Sequence, residues 1–234
     1  MRKLYLFVFI FLLHYAPYAQ KILFIGDSIT DGKWGYECDG TRNTEDLNHI
    51  FGHGYMFLCA AQLTAEYPKL NLEFFNRGIS GNTVNDLAER WGKDVLSINP
   101  DVLSVLIGIN DVLNDNPYID TIAFEQTYRE ILTKSRTQNP NLKIILGEPF
   151  CENGFRIDKQ GVIIRKKCEA LSRAVQRIAK DFNAQFIPYQ AYFDNLCKDG
   201  NTSYWIWDGV HPTPAGHYKM SAWWQSTYLS APQK

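Results

Sequence analysis

Residues 21–30 read Lys-Ile-Leu-Phe-Ile-Gly-Asp-Ser-Ile-Thr. The apolar run is short and stops at Gly26, the pattern of a strand buried on both faces. Ser28 then falls at a strand-to-helix turn, near the positive end of the helix that follows. Outward from this stretch the same pattern recurs, with strands expected at 72–76, 102–107, 143–146 and 185–188. Between them apolar residues return at helical spacing. Gly54–Tyr67 carries Phe57, Leu58, Ala61 and Leu63, and Val84–Ile98 carries Leu87, Trp91, Val95 and Leu96. Phe124–Thr137 and Val162–Phe182 are the longest such segments, and a last helix is expected to start after Pro214 and run to about Tyr228. Strands alternating with helices predict the α/β class: a three-layer α/β/α sandwich around a mainly parallel five-stranded sheet. In such sheets ligands bind beyond the C-terminal strand ends. Residues just after Ile25, Asn76 and Ile107 should therefore meet at one edge.

The chain has 234 residues, 45% of them apolar, which is enough for one well-filled core. Its formal net charge is -1, so neither nucleic acid nor an anionic membrane surface is expected as the main partner. The first residues read as an address. Arg2 and Lys3 precede the apolar run Leu4–Leu13, and Pro17-Tyr18-Ala19 ends in a small residue suited to cleavage. That run is shorter than the ~20 apolar residues of a comfortable membrane span. The expected division is a signal peptide at 1–19 and one domain at 20–234, exported to the periplasm or beyond, without stable membrane insertion after cleavage. Of the five cysteines none forms a Cys-x-x-Cys pair, so no zinc site is expected. Their wide spacing names no disulfide partners, and Cys59 and Cys168 read as buried free thiols.

Four short pieces carry chemistry. The first is Gly26-Asp27-Ser28-Ile29-Thr30; a serine hydroxyl is a poor nucleophile until a base takes its proton, and alone this one could equally be a helix cap. The second, Asn76–Asn82, contains Gly78 and Gly81, where a missing side chain lets a backbone N–H approach a ligand. The third, Gly108-Ile109-Asn110-Asp111, offers the Asn110 amide at the same sheet edge. The fourth is Asp208-Gly209-Val210-His211-Pro212. A carboxylate three residues before an imidazole can lie against one ring nitrogen while the other faces a serine. Metal ligation by Asp208 and His211 is the competing reading, but no third ligand stands out.

Taken in order, Ser28, Gly81, Asn110 and His211 resemble the signature of the SGNH hydrolases, also called GDSL esterases. The resemblance runs from Ile22 to Trp224. One departure is Ile29 where the family name has leucine, and the absence of a Gly-x-Ser-x-Gly elbow argues against the α/β-hydrolase fold. The resemblance implies a flavodoxin-like sandwich and a catalytic set of Ser28, Asp208 and His211. The oxyanion hole would be built from the Ser28 and Gly81 amides with the Asn110 side chain. It implies no cofactor and no metal, and a small-molecule or oligosaccharide ester as the partner in the reaction; it says nothing of oligomeric state.

Together with the resemblance, the export signal and the aromatic residues near the motifs suggest a carbohydrate acetylesterase. Trp34, Tyr36 and Trp207 could stack on a sugar ring, and Glu148, just after the fourth strand, could contact substrate. Trp205 and Trp207 would share a face if that segment is extended. His53 and His217 read as structural. The polar stretch Asp31–Gly54 is expected to be a loop over the site. The alternatives are a lysophospholipase, lipase or thioesterase with the same triad, which would need an apolar acyl groove, and a non-catalytic glycan-binding protein on the same scaffold, against which an intact Ser28, Asn110 and His211 argue.

Overall fold

The computed structural model describes residues 19–35, 41–42, 51–113, 118–157 and 160–230. Strand β1 (Gln20–Gly26) is buried from Ile22 onward, as a strand with helices on both faces must be. Its neighbours are β2 (Leu72–Gly78) and β3 (Val102–Leu106); β4 (Lys143–Gly147) and β5 (Gln185–Ile187) follow beyond β3. Every pairing is parallel, in the order β2-β1-β3-β4-β5. This is the flavodoxin-like order, whose switch point lies between β1 and β3. The register sets Gly78, Gly26, Leu106, Gly147 and Ile187 in one row, so the strands end together and the chain leaves each at the same edge.

One helical layer contains α2 (Tyr55–Glu66) and α9 (Pro214–Ser230), which pack together. Trp224 of α9 lies 4.5 Å from Phe24 of β1, and its indole N–H donates to Ser104 Oγ of β3 at 2.9 Å. The pairing satisfies two buried polar groups inside the core. The opposite layer holds α3 (Val84–Trp91), α5 (Thr121–Gln138) and α6 (Gly161–Asp181), with Trp91 donating to Ser135 Oγ of α5 at 2.9 Å. The α3 start is fixed by a capping box in which Thr83 and Asp86 bond each other's backbone N–H.

The structure departs from the sequence reading in three places. The helix expected through Ile98 is α-helical only to Trp91 and continues as a π turn over Gly92–Leu96. A helix α7 (Tyr189–Cys197) follows β5, too short for its apolar spacing to stand out from a loop. Trp205 closes the one-turn helix α8 (Thr202–Trp205) rather than sitting on an extended segment, so its parity with Trp207 does not place the two on one face. Cys59, Cys151, Cys168 and Cys197 are all buried free thiols.

Candidate active site

The segment after β1 forms the one-turn helix α1 (Ser28–Asp31). Asp27 is its cap, accepting the Ile29 N–H at 3.0 Å, which relieves Ser28 of that duty. Ser28 Oγ instead lies 2.8 Å from His211 Nε2. His211 comes from a tight turn closed by an Ile206–Pro212 bridge and by the Trp207 N–H bonding the His211 carbonyl at 3.1 Å. Within the turn Asp208 is fully buried. Its Oδ1 accepts the Val210 and His211 N–H groups at 2.9 and 2.7 Å. Its Oδ2 lies 2.7 Å from His211 Nδ1 and also accepts Arg156 Nε at 2.8 Å. Burial alone would raise the carboxyl's pKa, but the His211 backbone and ring and the Arg156 guanidinium hold it at about 2. An anionic Asp208 can only accept, so Nδ1 of His211 carries the proton and neutral Nε2 turns its lone pair to Ser28.

The exits of β2 and β3 are tied to each other at the sheet edge where Ser28 follows β1. Gly81 has φ +86°, a backbone conformation that favours glycine, and an added Cβ there would meet nothing. Asn110 lies on the one-turn helix α4 (Ile109–Val112), and its amide donates to the Asn82 carbonyl at 3.0 Å. The bond ties the β3 exit to the residue next to Gly81. The Ser28 and Gly81 N–H groups have no hydrogen-bond partner among the described residues. Asn76, buried at the end of β2, donates to the carbonyls of Thr30, Asp31 and Phe51 at 3.0, 3.1 and 3.0 Å. One amide thus holds α1 against Phe51, just before α2.

Asp27 carries a separate consequence. It is fully buried, and its Oδ2 has no hydrogen-bond partner. Burial, with Asp111 nearby, pushes its pKa from 3.8 to about 7. A raised carboxyl means that the folded state holds its proton where the unfolded chain has lost it. This group's contribution to stability is therefore greatest below the unfolded value and declines as pH rises toward about 7. Asp27→Asn keeps the cap oxygen and cannot ionise. The variant is expected to be more stable than the parent at pH ~8, by up to roughly 3–4 kcal/mol, and close to it at pH ~4. Calorimetric Tm at the two pH values checks this; an equal gain at both would show that ionisation is not the cause.

A cleft of about 640 Å3 opens over Ser28 and His211. Trp207 lines it, 52% exposed, with the ring of Phe155 edge-on at 5.1 Å. Two expected substrate contacts are elsewhere. Trp34 is buried: its indole N–H donates to the Gly78 carbonyl at 2.9 Å, and the Arg42 and Arg77 guanidiniums lie 4.4 and 5.3 Å from its ring centre. Glu148 turns inward, accepting from Ser172 Oγ and from the Gln190 N–H at 2.9 Å, and burial raises its pKa. Both corrections have one cause: neighbours distant in sequence supply better partners inside the protein than water does outside. Tyr36 lies outside the described residues. Of the loop expected over the site, buried Asp31 and partly exposed Arg42 form a bidentate pair at 2.9 and 3.1 Å, and Asp31 also accepts from the Ser80 N–H and hydroxyl at 3.0 and 2.7 Å.

The cleft also gathers residues that the sequence reading set aside or passed over. His53 and His217 line it, although both read as structural. His217 Nδ1 accepts the Tyr55 N–H at 3.2 Å, and burial, with His53 and His211 nearby, lowers its pKa to about 4. It is therefore neutral at pH 7, with its proton on Nε2. The sequence signal was available: His217 follows His211 on the first turns of α9. Nothing local marks Arg156 in the sequence, because its partner Asp208 is 52 residues away.

The row of aligned strand ends, the serine at the β1–β3 switch point and the Asp-x-x-His turn describe a hydrolase of the flavodoxin-like sandwich type. The GDSL-like lipase/acylhydrolase family model matches residues 24–219, and the chain belongs to that family. It is a carboxylic ester hydrolase. An acetylxylan esterase of Geobacillus stearothermophilus is 38% identical over 210 residues, covering 85% of this chain and 89% of that one. Among solved structures, a Parabacteroides merdae protein assigned as a GDSL-like lipase superposes with TM-score 0.78 at 34% identity, covering 90% of this chain and 96% of its own. A catalytic mutant of the Geobacillus stearothermophilus acetylxylan esterase superposes with TM-score 0.77 at 32% identity, covering 92% and 97%. Catalytic mutants of that enzyme are altered at a histidine, an aspartate and a serine.

Proposed function

We propose that the chain deacetylates carbohydrates, with Ser28 as nucleophile, His211 as its base and Asp208 as the group that orients the base and stabilises the imidazolium it becomes. The hydrogen-bonded series Ser28–His211–Asp208, at 2.8 and 2.7 Å, carries the assignment. Ser28 Oγ attacks the ester carbonyl as its proton passes to His211 Nε2. The oxyanion is received by the Ser28 and Gly81 N–H groups and the Asn110 amide, donors worth about 3–4 kcal/mol each in barrier. His211 then protonates the leaving sugar hydroxyl, and water cleaves the acyl-enzyme by the same relay in reverse.

Cleft chemistry supports a short acyl group. Among the described residues no Leu, Ile, Val, Met or Phe lines the cleft; Trp207 is its one large apolar side chain, beside polar groups, glycine and prolines. A long acyl chain would gain about 0.8 kcal/mol per buried methylene only from a groove of aliphatic side chains. The relative's action on acetylated xylan points the same way. The leader-like segment at 1–19 supports export, where such polymers are met. The test is kcat/KM on acetate, butyrate, octanoate and palmitate esters beside acetylated xylo-oligosaccharides. Acetyl groups on sugar should be removed fastest, and activity should fall with chain length. A steady rise toward palmitate with no sugar deacetylation would assign a lipase instead.

A further inference from the structure

We infer that Arg156 forms an anion subsite beside the triad and reads a carboxylate on the sugar that carries the acetyl group. The inference rests on the deacetylase reading above and adds to it a substrate class, acetylated oligosaccharides containing uronic acid.

Arg156 is held in place from two directions. Its loop is laid directly on the triad turn: Glu152 N–H donates to the Gly209 carbonyl at 2.8 Å, and Arg156 N–H to the Asp208 carbonyl at 3.1 Å. A Cβ at Gly154 would fall 2.3 Å from the Asp208 backbone, so only glycine allows this approach. The side chain is then anchored through Nε to Asp208 Oδ2 at 2.8 Å. Its terminal amino groups have no hydrogen-bond partner among the described residues, and the side chain, 47% exposed, lines the cleft. A guanidinium with its orientation set and its terminal donors turned to a cleft is matched by a planar two-oxygen acceptor.

The charge of the cleft agrees. Lys33 lines it as well, and among the described residues no Asp or Glu does. As an aid to catalysis alone the arginine is poorly placed. It shares Oδ2 with His211 Nδ1 and draws charge from the carboxylate that must stabilise the imidazolium. A substrate carboxylate on the outer side of the guanidinium offsets that pull. Trp207 and Phe155 flank Arg156 and Asp208 in sequence and stand exposed, offering a wall for the sugar ring that carries the charge.

The experiment compares kcat/KM for release of acetate from matched substrates. They are neutral acetylated xylo-oligosaccharides, the same oligosaccharides with a uronic acid side group, their carboxyl-reduced counterparts, and acetylated oligogalacturonides, in which the carboxylate lies in the backbone. At least one acidic form should exceed its neutral counterpart by about tenfold at low salt, and carboxyl reduction should remove the gain. The side-group and backbone arms show which source of carboxylate fits. In Arg156→Gln the acid-to-neutral ratio should fall to about one; p-nitrophenyl acetate turnover, measured alongside, takes up any change in triad efficiency. Equal rates on acidic and reduced substrates in the unaltered enzyme overturn this inference alone, as does a preference that survives Arg156→Gln. Hydrolysis of p-nitrophenyl acetate with no release of acetate from any sugar overturns the deacetylase reading, and this inference with it.

Discussion

Ser28→Ala is expected to lower kcat for ester hydrolysis by about a millionfold, the loss typical when a catalytic unit loses its nucleophile. The fold should survive. Ser28 sits on the surface side of α1, its cap is supplied by Asp27, and the substitution removes one oxygen bonded to His211. Stability should stay within about 1 kcal/mol of the parent, the net contribution of one part-buried hydrogen bond. His211→Ala should cost nearly as much, and the double variant little more than either, because the two act on one proton transfer. A fluorophosphonate probe followed by mass analysis checks the assignment: the parent should be labelled at Ser28 and Ser28→Ala should not. Covalent labelling of Ser28→Ala at the parent rate would place the nucleophile elsewhere.

The second large effect is expected at Asp208. Asp208→Asn should lower kcat by about ten-thousandfold, less than loss of the serine, since the nucleophile and oxyanion donors remain. An amide at this position would turn either an N–H toward His211 and Arg156 or its oxygen away from two backbone donors. The imidazole would then lose the anionic acceptor that fixes its tautomer. Stability should fall too. The folded value of about 2 lies below the ordinary 3.8, so this carboxylate's contribution is complete above pH ~4. It amounts to about 2 kcal/mol and is lost as pH falls toward about 2. Denaturant unfolding of parent and variant between pH ~2 and pH ~7 measures it. The gap between them should narrow in acid, and a constant gap would assign the loss to packing.

Much of the site could be read along the chain because its parts are local. Each strand end carries its own motif, and a parallel sheet with aligned ends delivers Ser28, Gly81 and Asn110 to one edge without long-range information. Asp208 and His211 are three residues apart, so one turn sets their relation. The same locality explains why β1 to β5 and the long helices were legible while α7, α8 and the π turn after Trp91 were not. A short segment with mixed polarity carries no period that survives competition with turns.

Substrate contacts were less legible, for a physical reason. Trp34 closely follows the nucleophile motif and Glu148 lies just beyond a strand end, where a sequence reading puts ligand-facing side chains. Each found a buried partner from another element: Gly78 and Arg42 for the indole, Ser172 and Gln190 for the carboxylate. Arg156 went the other way, unmarked in sequence yet brought onto Asp208 by a glycine that lets one loop lie on another. The sequence by itself determined the layer order of strand and helix and the edge at which the motifs meet, because these follow from period and spacing; the candidate reacting groups within the motifs were marked by their ordered resemblance to a family signature. The tertiary structure alone decided which polar and aromatic side chains face the cleft, because that depends on which distant groups compete to satisfy them.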